Sequence, residues 1–195
     1  MNLVFATNNS KKLIEAKEIL PDEIEIISLS DINFHDDIIE NAETFEGNAL
    51  IKAQTIFDRF STSCFADDSG LVVPSLGGLP GVKSARYANE IGPVDHEANN
   101  NKLLKALYDV EDRYAYFITV ICLILPDKTP RYFQGRVEGS ITTEVRGDKG
   151  FGYDPVFIPK NYTQTFSELG SDTKNKISHR ARALRNMNDF LASNL

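Results

Sequence analysis

Phe65-Ala66-Asp67-Asp68-Ser69-Gly70-Leu71 is the stretch on which the reading of the fold turns. It reads as the end of a buried strand running into a tight turn at Gly70. Aspartate is a poor strand former, so a pair of aspartates at a strand end needs a reason. A solvated turn is one reason, since Asp, Ser and Gly are all turn residues. A site for a hard cation is the other, because carboxylate oxygens are its natural ligands.

Working outward, the segment before it reads as a helix. Phe45, Ala49, Ala53, Ile56 and Phe60 form one apolar stripe, and the helix starts near Thr44. Asn48 and Lys52 stand one turn apart on the border of that stripe, and Lys52 is a candidate to look toward the aspartate turn. Glu40 lies in the acidic loop just upstream. At the chain start, Leu3-Val4-Phe5-Ala6 reads as a buried strand, and Leu13, Ala16, Ile19 and Leu20 as a helix ended by Pro21. Thr7, Asn8, Asn9, Ser10, Lys11 and Lys12 join the two. A polar loop at a helix N-terminus offers free N–H groups and the positive dipole end to an anion. Asparagine tolerates left-handed backbone, so Asn8-Asn9 is expected to curl that loop around phosphate.

Downstream, Glu23 to Leu29 reads as a second strand and Leu76 to Tyr87 as a loop shaped by Gly and Pro, with Arg86 near its end. Asp95 to Tyr108 reads as an amphipathic helix. Tyr114 to Leu125 reads as a long central strand, returned on by Arg131 to Ile141. Gly150-Phe151-Gly152-Tyr153-Asp154-Pro155 sets two aromatics around a glycine, which suits stacking on a flat base. Lys174, Ser178, His179 and Arg180 open the last helix, whose buried face is Ala183, Leu184, Met187, Phe190 and Leu191. Cations in a first helical turn oppose the dipole, which marks His179 and Arg180 as functional candidates.

The 195 residues suffice for one domain with a real core, and 1–195 is expected to be a single domain. A net charge of −7 argues against a surface that coats nucleic acid. Cys64 and Cys122 lie in apolar runs and read as reduced core thiols. No apolar run approaches the roughly 20 residues of a membrane span. With no leader pattern visible, a cytoplasmic protein free of membrane contact is expected.

Taken in order, these clusters resemble the inosine triphosphate pyrophosphatase family, the Ham1-like XTP/dITP diphosphatases. The resemblance rests on Thr7 to Lys12, Glu40 to Ala49, Ala66 to Leu71, Gly77 to Tyr87, Gly150 to Pro155, and Lys174 with Ile177 to Arg180. The chain departs from the family pattern at Asn8, where glycine is usual, at Asn41-Ala42, where Thr-Gly is usual, and at Gly47, where Glu is usual.

The resemblance implies an α/β fold with a long central mixed β-sheet flanked by helices, in two lobes with the active site in the cleft between them. It implies hydrolysis of ITP, dITP and XTP to the monophosphate and pyrophosphate, cleansing the nucleotide pool. Magnesium is the implied cofactor, with Glu40 and Asp68 as its ligands and Asp68 as general base; Asp67 is a further metal-shell candidate. Thr7 to Lys12, Ser69 and Lys52 are implied to hold the triphosphate. Phe151, Gly152, Tyr153, Asp154, Lys174, His179 and Arg180 are implied to hold the nucleotide and its base. A homodimer is implied as well. A related pyrophosphatase acting on modified pyrimidines or the common nucleotides is the alternative, and base preference separates the two.

Overall fold

The computed structural model describes residues 1–89 and 91–194. Its strands are β1 (Asn2–Phe5), β2 (Glu25–Ile27), β3 (Cys64–Val72), β4 (Tyr114–Ile124), β5 (Pro130–Ile141) and β6 (Phe157–Pro159). Its helices are α1 (Ser10–Ile19), α2 (Phe45–Phe60), α3 (His96–Ala106), α4 (Phe166–Ile177) and α5 (His179–Asn194). The strands form one mixed sheet in the order β2-β1-β3-β4-β5-β6. β1 is parallel to β2 and to β3, whereas β5 and β6 are antiparallel. The expected α/β class and mixed sheet are both present.

The chain forms two compact units, each assembled from separate stretches: Met1–Asp68, Thr119–Gly135 and His179–Leu195 in the first, Ser69–Ile118 and Arg136–Ser178 in the second. In the first unit, strand periodicity sorts the core. Leu3 and Phe5 of β1, Phe65 of β3, and Ile121 and Leu123 of β4 face Ala16 and Leu20 of α1 and Ala183, Leu184, Met187 and Leu191 of α5. Val4, Cys64, Ala66, Cys122 and Ile124 face the other way, onto Ala49, Ala53, Ile56 and Phe57 of α2. Successive side chains of a strand alternate between faces, so residue parity decides which helices a β3 residue meets. Both cysteines are buried and free, as expected, and burial pushes both thiols up to about 12.

The second unit has its own core, built from Leu71, Val73, Leu103, Leu107, Ala115, Phe117, Val137, Ile141, Val156, Phe157 and Phe166.

Two expectations are corrected. β3 does not stop at Gly70 but runs through Asp67, Asp68, Ser69 and Gly70 to Val72. The aspartates are tolerated there because each is buried against polar partners. Lys174 does not open the last helix: it lies in the last turn of α4, and Ser178 separates α4 from α5. Thr165 and Glu168 start α4 with a reciprocal capping box, and Gly170, at φ +78°, kinks it.

Candidate active site

The β1–α1 junction is built on Asn9. Its side chain accepts from the N–H groups of Lys11 at 3.0 Å and Lys12 at 3.2 Å, which caps α1. Thr7 Oγ1 accepts in turn from the Asn9 N–H at 3.2 Å. Asn9 is extended, with φ −87°, and neither Asn8 nor Asn9 takes the left-handed conformation expected of them. The cap explains the difference, because an N-cap residue needs extended backbone to aim its oxygen at the first turn. Asn8, Ser10 and Lys11 are exposed at this junction, while Lys12 turns inward.

Asp67 falls on the α1/α5 face of β3, as its parity with Phe65 requires. Lys12 Nζ of α1 donates to it at 2.9 Å and Arg180 Nε of α5 at 3.1 Å. Arg180 also pairs with Glu15, one helical turn after Lys12 on α1. Arg180 is 2% exposed and Asp67 1%, so this is a buried charge cluster. Burial pushes the Asp67 carboxyl up, but Lys12 and Arg180 outweigh it and hold the group well below the usual carboxylate range. Burial likewise draws Arg180 down, while Asp67 and Glu15 raise it above its ordinary value. The dipole opposition expected for Arg180 is offset here by two carboxylates.

Asp68 falls on the opposite face, toward α2. Asn48 Nδ2 donates to its Oδ2 at 3.0 Å. Burial raises the Asp68 carboxyl above its usual value; Lys52, Lys12 and the Asn48 hydrogen bond pull against that, and Glu40 adds to it. Glu40 pairs with Lys52, which does look toward the β3 aspartates. One unit therefore gathers Glu40, Asn48, Lys52 and Asp68 on one face of its sheet and Lys12, Glu15, Asp67 and Arg180 on the other.

The second unit gathers the aromatic cluster. Lys174 Nζ donates to Asp154 Oδ2 at 2.7 Å and lies 4.4 Å from the centre of the Phe151 ring. Asp154 also accepts from the Phe151 N–H at 2.9 Å. Gly150, at φ +82°, lets the loop close on Asp154: a Cβ there would stand 2.3 Å from Asp154 Oδ2. Asn100 of α3 holds the Gly152 carbonyl at 3.0 Å. Phe151 is half-buried, as a platform must be. Tyr153 is not a second platform: its ring is 3% exposed in the core and its hydroxyl donates to the Ser84 carbonyl at 2.9 Å. Ser69 lies in this unit's part of β3, and His179 is the buried first residue of α5. Arg86, near the end of the Gly- and Pro-shaped loop, donates to the Gly92 carbonyl.

Sequence reasoning missed Glu15 and Asn100 and gave Asn48 no role. Glu15 carried a readable signal, since it follows Lys12 by one turn in a helix opening on a cationic loop. Among the described residues no three His, Cys, Asp or Glu side chains cluster as a complete metal site.

A mixed sheet flanked by helices, with buried carboxylates on one strand matched to lysine, arginine and asparagine, defines an α/β protein with a polar site built on β3. Sequence comparison makes the assignment specific: the Ham1 family model matches residues 3–190. The chain belongs to that family. It is 51% identical to a dITP/XTP pyrophosphatase of Porphyromonas gingivalis, over 97% of this chain and 96% of that one. It is 48% identical to a dITP/XTP pyrophosphatase of Flavobacterium johnsoniae, over 99% of both chains. The solved structure of the Staphylococcus aureus Ham1 protein superposes with a TM-score of 0.90 at 37% identity, covering 100% of both chains.

Proposed function

We propose that this protein hydrolyses non-standard purine nucleoside triphosphates, dITP and XTP with ITP, to the nucleoside monophosphate and pyrophosphate. The observation that carries this reading is the buried Asp68, held by Asn48 and in the field of Glu40, Lys52 and Lys12, in a chain so similar along its length to proteins named dITP/XTP pyrophosphatase. Asp68 is the general base. Its raised proton affinity brings it toward the range in which it can take a proton from an attacking water, and Asn48 holds the carboxylate in place.

Magnesium is the cofactor we assign. Glu40 and Asp68 fit it, because this cation is held by one or two carboxylates and completed by waters and substrate phosphates. Bound there, it neutralises phosphate charge and counters the proton affinity of Asp68. Lys12 and Lys52 supply ammonium groups for the triphosphate, and the capped β1–α1 junction from Thr7 to Lys12 supplies N–H groups. Phe151 offers a stacking face for the base. Lys174, held by Asp154, His179 and Arg180 are the donors we assign to a 6-oxo purine. Adenine presents an amino donor at that position, so donor would face donor and buried groups would be left unpaired. We further infer a homodimer acting in the cytoplasm; among the described residues no helix is long and apolar enough to cross a membrane.

Product release from dITP, XTP, ITP, ATP and GTP, with magnesium and with chelator, tests the reading. Pyrophosphate from the first three, little from the last two, and none with chelator is the expected result. Equal turnover of all five would remove the base-selection argument. Orthophosphate as the sole inorganic product would overturn the assigned chemistry. Light scattering in line with size exclusion tests the dimer.

A further inference from the structure

Asn48 is 4% exposed and uses both ends of its amide. Its Nδ2 donates to Asp68 Oδ2 at 3.0 Å, and its Oδ1 accepts from the Ala42 N–H at 2.9 Å. The amide orientation is fixed by the partners, since a backbone N–H can only donate. These partners belong to different segments. Asp68 is on β3, and Ala42 is in the loop that enters α2, two residues after Glu40. The amide thus ties the Glu40 segment to the strand that carries Asp68.

A second contact seats the same loop. A Cβ on Gly47 would stand 2.6 Å from the Ala42 Cβ and 3.0 Å from Thr44 Oγ1. The Ala42 methyl therefore occupies the space a side chain at position 47 would need. Glycine is a poor helix former, and its place in the first turn of α2 follows from this close approach.

We propose that Asn48 is a positioning residue, which with Gly47 as the seat of the loop sets the placement of Glu40 relative to Asp68. This rests on the reading of those two carboxylates as the magnesium pair. Asn48 acts through them and touches no reacting atom. Residues that orient metal-binding carboxylates typically change metal affinity or activity about 10–100-fold when removed.

Two variants test it from opposite sides of the loop, Asn48→Ala and Gly47→Ala. The first readout is dITP hydrolysis against magnesium chloride concentration. The second is amide hydrogen exchange of the metal-free protein at residues 40–44. In both variants, half-saturating magnesium is expected to rise about tenfold or more, while the KM for dITP at saturating magnesium stays within about threefold. Exchange at the Ala42 amide is expected to accelerate, with the later turns of α2 as protected as in the wild type.

An unchanged magnesium requirement in Asn48→Ala would overturn the proposal. So would a raised requirement with unchanged Ala42 exchange, because Asn48 would then act on Asp68 alone. Gly47→Ala extends the test should Asn48→Ala not fold, and wild-type behaviour in that variant also overturns the proposal. Wild-type turnover that ignores magnesium would sink the cation reading itself, a result visible before any variant is made.

Discussion

Asp67 and Asp68 are neighbours in the chain with opposite surroundings. Lys12 and Arg180 hold Asp67 far below its unfolded value, so its ion pairs contribute stability above the unfolded carboxylate pKa, about 4. That contribution is lost as pH falls through the folded value. Asp67→Asn leaves two buried cations short of a partner and should cost about 3–5 kcal/mol at pH 7. Urea melts across pH check both points: the wild type should lose stability below about pH 4, and the variant should lose less there. Asp68 has the reverse sign. Its folded value is raised, so the ionised carboxylate costs stability at neutral pH, and that cost is relieved as pH falls. Asp68→Asn should therefore melt no lower than the wild type while kcat falls about 10²–10⁴-fold. A variant with normal kcat would remove Asp68 as the base.

At the scale of elements, the packing of α5 on β5 is the tightest constraint near the charge cluster. A Cβ on Gly135 would stand 2.0 Å from the His179 carbonyl oxygen and 2.5 Å from the Ala183 nitrogen. Backbone cannot yield as a flexible side chain does, so Gly135→Ala should displace α5 and lower stability by roughly 1–3 kcal/mol or more. Because α5 carries Arg180, the KM for dITP should rise in the same variant; thermal melts and initial rates read the two effects. Most elements were legible from period and punctuation, including the start of α2 near Thr44 and the β4–β5 pair. Two errors had physical causes. Turn chemistry at Ser69-Gly70 outweighed the strand signal, although apolar residues resume at Leu71. Helix α4 is polar along much of its length and is interrupted at Gly170, where the backbone leaves the helical conformation; the Thr165-x-x-Glu168 capping box was the signal left to find it.

At the scale of the molecule, the two units interleave along the chain. The first takes its core from Leu3, Phe5 and Phe65, but also from Ile121, Leu123, Ala183, Leu184, Met187 and Leu191, which lie far downstream. A fragment ending at Asp68 should therefore remain unfolded by circular dichroism, because half of one core face is missing; a cooperative melt of that fragment would contradict this. What the sequence determined was local: strand and helix periods, the capping residues, and six clusters of residue types specific enough to place the chain in its family. What tertiary structure decided was which charges meet. Lys12 reaches Asp67 across 55 positions, Arg180 reaches it across 113, and Arg180 reaches Glu15 across 165. No short-range pattern encodes such pairs. They follow from the order of strands in the sheet and from the alternation along β3, which sends Asp67 to α1 and α5 and Asp68 to α2.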